Sequence, residues 1–82
     1  MADGLTLAAA FGTVVREARK ERGFSQEGFA DHCGVHRTFM GLLERGRSNV
    51  TILTARRVAK GLGMTMAELF AAVEAKLDDR DV

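Results

Sequence analysis

Residues 24–46 read FSQEGFADHCGVHRTFMGLLERG, and this stretch decides the fold. Ser25 is a good N-cap for a helix over Gln26 to Cys33, and Gly34 supplies the left-handed conformation that a tight turn requires. A second helix then covers about Arg37 to Arg45. Two short helices that cross at a glycine turn form a helix-turn-helix, which projects one helix far enough to enter the major groove of DNA.

The composition favours one small, all-helical domain. Alanine, leucine and long charged residues dominate the 82 residues, there is no proline, and β-branched residues form no alternating run. A core this small often needs a covalent cross-link or a partner subunit to be stable. The single cysteine, Cys33, excludes an internal disulfide. One thiol and no secretory signal indicate the cytoplasm, and the apolar segment LTLAAAFG is too short to span a membrane.

Capping signals predict three further helices around the motif. We therefore expect an all-α, compact five-helix bundle that forms a single domain over residues 1–82, with the helix-turn-helix at about residues 25–45. The predicted boundaries are Thr6 as the cap of a first helix running to about Arg22, Thr51 as the cap of a helix over Ile52 to Leu62, and Thr65 with Glu68 as the capping box that opens the fifth helix.

Charge is distributed unevenly along the chain. The net charge is only +1, yet residues 16–60 carry ten Arg and Lys against five Asp and Glu, a net +5. The residues outside this range carry two against six, a net −4. A basic middle with an acidic end suits a surface that faces phosphate on one side, and a solvated surface with chance asymmetry is the alternative.

Three segments together resemble the phage-repressor-like (Cro/C1, or XRE) helix-turn-helix family. They read VREARKERGFSQ, GFADHCGVHRTFMGLLERG and ILTARRVAKGLGMTMAELF, and they span most of the chain. The resemblance implies a bundle of the lambda-repressor-like type that binds operator DNA as a dimer and regulates transcription. Within the family, HRTFMGLLERGRSNVTI most resembles the controller proteins of restriction–modification systems.

The resemblance also implies roles for individual residues. Gln26 matches a glutamine that contacts backbone phosphate, and Arg37 and Thr38 match positions that meet base edges. Arg19 and Glu44 match a buried ion pair that ties the first helix to the third.

The sequence departs from the family pattern at four positions. Gly28 replaces the usual acidic third residue of the second helix, so no capping box is expected there. His36 replaces the usual Ser or Thr cap before the third helix. Gly41 and Leu42, which we expect to face outward, replace polar residues that often contact bases.

Arg37 is the first candidate for reading a base. Its planar fork can donate two parallel hydrogen bonds to guanine O6 and N7, and the alternative is an exposed arginine without a partner. Thr38 either meets a base edge or a thymine methyl, or is a neutral surface residue. The residues predicted to contact DNA are Ser25, Gln26, His36, Arg37, Thr38, Phe39, Gly41, Leu42, Arg45, Arg47, Ser48 and Asn49.

The loop after the third helix has a different expected role from the helix itself. Arg45, Arg47, Ser48 and Asn49 are expected to meet phosphates, which position a protein without specifying sequence, and a solvated loop is the alternative. Phe39 lies between the outward and inward faces, where partial burial in the core or packing on sugar–phosphate is expected.

The region at about residues 62–77 carries more apolar groups than a small bundle can hide. We expect part of it to form a two-fold dimer interface, with ordinary core as the alternative. A dimer would place two recognition helices on half-sites about 34 Å apart, one turn of DNA. The predicted interface residues are Met64, Met66, Leu69, Phe70 and Val73.

A metal or nucleophile site at Asp31, His32, Cys33 and His36 is a weaker interpretation. Gly34 interrupts the helix between the histidines, which removes helical ligand spacing, and Cys33 falls on the core side, where a thiol is inert. No carboxylate pair, glycine-rich phosphate loop or nucleophile–base set indicates an enzyme. We therefore expect no metal, no cofactor and no small-molecule ligand.

Double-stranded DNA and a second copy of the chain are the expected partners, with RNA polymerase either blocked or recruited at the operator. The alternative from another class is an antitoxin-type interaction module that binds a toxin and autoregulates its operon. Antitoxins often carry an extra segment, and here only the charged tail Asp78 to Val82, which we expect to fray, follows the helical domain.

Overall fold

The computed structural model describes residues 3–81, together with the side chains of residues 7–78, and the expected all-α bundle is confirmed. Over this range the chain forms five helices and no strand. No helix among these residues is both long enough and apolar enough to cross a membrane. The helices are α1 Asp3–Glu21, α2 Gln26–Cys33, α3 Arg37–Glu44, α4 Ile52–Gly61 and α5 Met66–Asp81.

The predicted caps around the helix-turn-helix and before α5 are confirmed. Ser25 Oγ accepts a hydrogen bond from the backbone N–H of Gly28 at 3.0 Å, which starts α2. Gly34 follows α2 with φ +72°, a left-handed conformation that favours glycine. Thr65 and Glu68 exchange reciprocal side-chain to backbone bonds of 2.8 and 3.0 Å, so the capping box is present.

One prediction for the N-terminal end of the chain is wrong. α1 begins at Asp3, so Thr6 lies inside the helix; because the backbone before it is already helical, Thr6 is not a helix start. At the other end of the chain, α5 continues to Asp81 and so includes most of the charged tail. The last residue of the tail, Val82, lies outside the described residues.

The core lies where α1 packs on α5 and α3, and where α2 packs on α3 and α4. The helix-turn-helix is therefore supported from behind by α1 and α4, and its front is left to solvent. The largest fully buried side chains are Phe29, Met40, Leu43, Leu69, Val15, Val58 and Val73.

Part of the predicted dimer interface belongs to this core. Leu69 and Val73 are buried within a single chain because α5 turns that face towards α1, so the interface prediction is wrong for both. Met64 and Met66 are half-buried and pack against the core, while Phe70 remains exposed. The helical spacing of the apolar residues in α5 indicates the face that is buried in the core, and not a surface for a partner.

A glycine allows α1 and α3 to meet at backbone distance. A Cβ atom on Gly12 would clash with the carbonyl oxygen of Leu43 and lie 2.8 Å from that of Glu44. Glycine in a helix interior costs about 0.5–1 kcal/mol relative to alanine. This close contact explains why α1 tolerates that cost at Gly12.

We predict that Gly12→Ala destabilises the protein, although alanine is the better helix former. The new methyl group would force α1 away from the end of α3, and overpacking of this kind typically costs about 1–3 kcal/mol. Urea unfolding followed by circular dichroism measures the change. Gly41→Ala is the matched control, because a Cβ there would meet Gln26 Oε1 at 3.5 Å, an ordinary contact. Equal stability of the two variants would contradict the close packing of α1 on α3.

Candidate nucleic-acid interface

A buried ion pair fixes the C-terminal end of α3. Arg19 of α1 donates from Nε to Glu44 Oε2 at 2.8 Å and from Nη2 to Glu44 Oε1 at 3.0 Å. Both residues are only 7% exposed, and Arg19 Nη1 also donates to the backbone oxygen of Phe24 at 2.8 Å. Because Glu44 is the last residue of α3, the two-pronged contact sets the orientation of that helix on α1.

Gln26 extends this network from α2. Its Nε2 donates to Glu44 Oε1 at 3.1 Å, so the side-chain amide that the resemblance places on phosphate is held by a carboxylate of the same chain. Its backbone N–H lies in the first turn of α2, where N–H groups have no partner within the helix. The arrangement leaves the N-terminus of α2 available for an anion such as phosphate.

His36 takes the place of the hydroxyl cap before α3. Its Nδ1 accepts a hydrogen bond from the backbone N–H of Thr38 at 3.1 Å, so the ring carries its proton on Nε2 in this state. His36, Arg37 and Thr38 all have exposed side chains. The start of α3 is thus ordered and open to solvent.

Arg37 has a partner that the sequence analysis missed. Its Nη1 forms an ion pair with Glu27 Oε2, and the two side chains are 66% and 62% exposed. The tight turn at Gly34 brings the starts of α2 and α3 side by side. An acidic residue in the first turn of α2 was the available signal for this contact.

A shallow groove runs between the start of α2 and the outer face of α3. Gly41 lies on the side of α3 that faces this groove, but it is buried, because the side chains of Gln26 and Arg45 cover it. Leu42 and Phe39 are half-buried, and Phe39 packs against the core. The groove is lined by Gln26, Glu27, Arg37, Thr38, Gly41 and Arg45.

Some residues of the loop after α3 are exposed to solvent, and others pack against the protein. Arg45, Arg47 and Asn49 are exposed, as a phosphate-facing surface requires. The Ser48 hydroxyl is buried and has no hydrogen-bond partner among the described residues, so this hydroxyl does not face a phosphate in the structure. Ser48 instead lines an apolar pocket with Phe11 and other residues, because the loop folds back over α1 and α4.

An apolar patch lies beside this loop. Ile52 and Leu53, at the start of α4, are 81% and 57% exposed, and Leu7 and Phe70, also exposed, line one apolar pocket together with Ile52. We call these four residues the apolar patch. Of the four, only Phe70 is predicted from the sequence to lie at an interface.

Cys33 lies on the opposite side of the motif, against α4. Burial raises the pKa of its thiol to about 11. The thiol therefore stays protonated near neutral pH, where only a thiolate is a good nucleophile or metal ligand. The neighbouring His32 stacks on Phe24 with ring centroids 4.9 Å apart.

Comparison with known proteins places the chain among regulators of one family. Residues 15–69 match the family model described as helix-turn-helix. The control protein C.MunI of a Mycoplasma species is 37% identical over 65 residues, which cover 78% of this chain and 88% of that protein.

Solved structures agree in fold. The restriction–modification controller protein C.AhdI from Aeromonas hydrophila has a TM-score of 0.74 and 36% identity over 77% of this chain and 96% of its own. The controller C.Esp1396I, solved as a tetramer in complex with its natural 35 base-pair operator, has a TM-score of 0.79 and 27% identity. That match covers 87% of this chain and 93% of the controller chain.

We predict that Glu44→Ala destabilises the protein by about 3–5 kcal/mol, because it leaves the buried Arg19 charge without its partner. Thermal and urea unfolding measure the loss. Glu17→Ala is the matched control, since its 3.2 Å pair with Lys76 is largely exposed and such pairs contribute about 0–1 kcal/mol. A Glu44→Ala variant as stable as Glu17→Ala would remove the structural role of the buried pair.

Proposed function

We propose that this chain, which belongs to the helix-turn-helix family, is a sequence-specific transcription regulator that binds an inverted-repeat operator as a homodimer. One observation carries the proposal. α3 is anchored at its end by the buried Glu44 and presents Arg37, Thr38 and Arg45 to solvent along the groove. An anchored helix with an exposed polar face is the arrangement that a major groove accepts.

Base and phosphate contacts would come from different parts of this surface. Arg37 and Thr38, at the start of α3, would read base edges. The first-turn N–H groups of α2, with Arg45, Arg47 and Asn49, would hold phosphates on either side. Phosphate contacts fix the register of the protein on DNA, and the base contacts select the sequence.

The apolar patch would form the dimer interface. Ile52 and Leu53 begin α4 directly after the loop that follows α3, so a two-fold axis through the patch would place the two α3 helices on the same side of the dimer. Half-sites about 34 Å apart would then be read together. Water-exposed apolar area supports an interface here rather than at the buried Leu69 and Val73.

The regulatory mechanism would be occupancy of the operator. A bound dimer either covers a promoter or recruits RNA polymerase to it, and both act on DNA in the cytoplasm. Similarity to C.MunI and C.AhdI supports a role as the controller of a restriction–modification system. The same relatives favour a regulator over an antitoxin-type interaction module.

We predict different effects from two arginine substitutions. Arg37→Ala should weaken operator binding by about 1–3 kcal/mol and relax the preference at one base pair, because it removes a bidentate base contact. Arg47→Ala should weaken binding to all sequences similarly and flatten the salt dependence, because it removes one phosphate contact. Fluorescence anisotropy with operator and scrambled duplexes at several salt concentrations measures both effects. An Arg37→Ala variant with unchanged affinity and base preference would refute the assigned role.

We predict that Ile52→Asp gives a folded monomer. Ile52 is the first residue of α4 and is 81% exposed, and a helix N-terminus favours an acidic side chain, so the fold should persist while the charge blocks the interface. Analytical ultracentrifugation measures the mass, and circular dichroism checks the fold. Ala75→Asp, an exposed change of equal charge on α5, should remain dimeric. A dimeric Ile52→Asp protein would place the interface elsewhere.

A further inference from the structure

The ion pair between Glu27 and Arg37 joins the residue proposed to read a base to an acidic residue on the same surface. Both side chains are about two-thirds exposed, and exposed ion pairs contribute little to stability. The fold therefore has little need of this contact. A carboxylate on a surface that faces phosphates also weakens DNA binding by repulsion. The helix dipole favours an acidic residue in the first turn of α2, but it does not require the pair with Arg37, so the pair itself calls for an explanation in terms of recognition.

We propose that Glu27 is a specificity-determining residue, which holds Arg37 in position for its base and opposes DNA that does not satisfy Arg37. This inference rests on the proposed function. In the structure Glu27 accepts from Nη1 of Arg37 alone, which leaves the Nε and Nη2 edge of the guanidinium for a second acceptor. That edge has the two parallel donors that guanine O6 and N7 accept.

The surroundings of the pair direct the guanidinium. Arg45 lines the same groove as Arg37, so the two like charges repel, while Glu27 attracts Arg37 towards α2. Asp31 and His36 line the adjoining hollow beyond Glu27 and Arg37. Without Glu27, Arg37 would be a flexible cation beside a second arginine, able to pair with any nearby phosphate.

With this arrangement, the affinity for a DNA sequence would depend on the base that Arg37 meets. On the correct sequence, Arg37 would keep its contact with Glu27 and add a guanine, so the carboxylate stays neutralised beside DNA. On other sequences, an Arg37 that turns to phosphate leaves Glu27 unpaired in a strongly negative environment. Opposition to wrong sequences is a general route to specificity. The presence of Glu27 would thus lower affinity for all DNA but lower it more for incorrect DNA.

Glu27→Gln in the full chain tests this role, with binding measured by anisotropy to the operator and to a scrambled duplex. We expect tighter binding to the scrambled duplex and a loss of about five- to tenfold in the operator-to-scrambled affinity ratio, within the range of one base contact. Glu21→Gln, an exposed change of equal charge at the end of α1, is the control and should leave the ratio unchanged.

The same substitution in an Arg37→Ala background tests whether Glu27 acts through Arg37. There Glu27→Gln should still tighten binding generally but should no longer change the ratio. Two results overturn the proposal: an unchanged ratio in the single variant, or an equal change in both backgrounds. A wild-type protein that does not discriminate between the duplexes would instead overturn the proposed function, and the role of Glu27 with it.

Discussion

The buried pair of Arg19 and Glu44 is the constraint on which the rest of the structure depends. Removing two charges from water is costly, and a buried pair is weak evidence of net stability. Here both charged groups also form hydrogen bonds outside the pair. Arg19 donates to the backbone carbonyl of Phe24, and Glu44 accepts from the side chain of Gln26. The network joins α1, α2 and α3 at one point, so it specifies the orientation of α3.

Fixing one end of α3 allows the other end to be exposed. The backbone contact at Gly12 and the ion pair both hold the C-terminal part of α3 against α1, while its first turn is capped by His36 and faces solvent. Arg37 and Arg45 then line a groove that the core does not use. α3 is held from behind by α1 and offers a short polar face to a partner.

The sequence was sufficient for the parts of the fold that depend on local chemistry. Ser25, Gly34 and the Thr65–Glu68 box set helix ends through contacts within a few residues, and those contacts are present. The sequence was insufficient where packing against another part of the chain determines whether a residue is exposed or which residue it contacts. Helical spacing placed Gly41 outward but could not show that Gln26 and Arg45 cover it. The same spacing could not show that α1 covers Leu69, or that Glu27 meets Arg37 across the turn.

The central claim is that two anchored α3 helices, related by a two-fold axis, read one face of a duplex. Selection of bound DNA from a random library, at low and moderate salt, tests it most directly. The account predicts an enriched inverted repeat whose half-sites are centred about 10 base pairs apart, with the enrichment sharper at higher salt because phosphate contacts weaken there. Enrichment of a single unsymmetric site, or of no sequence at either salt concentration, would contradict it.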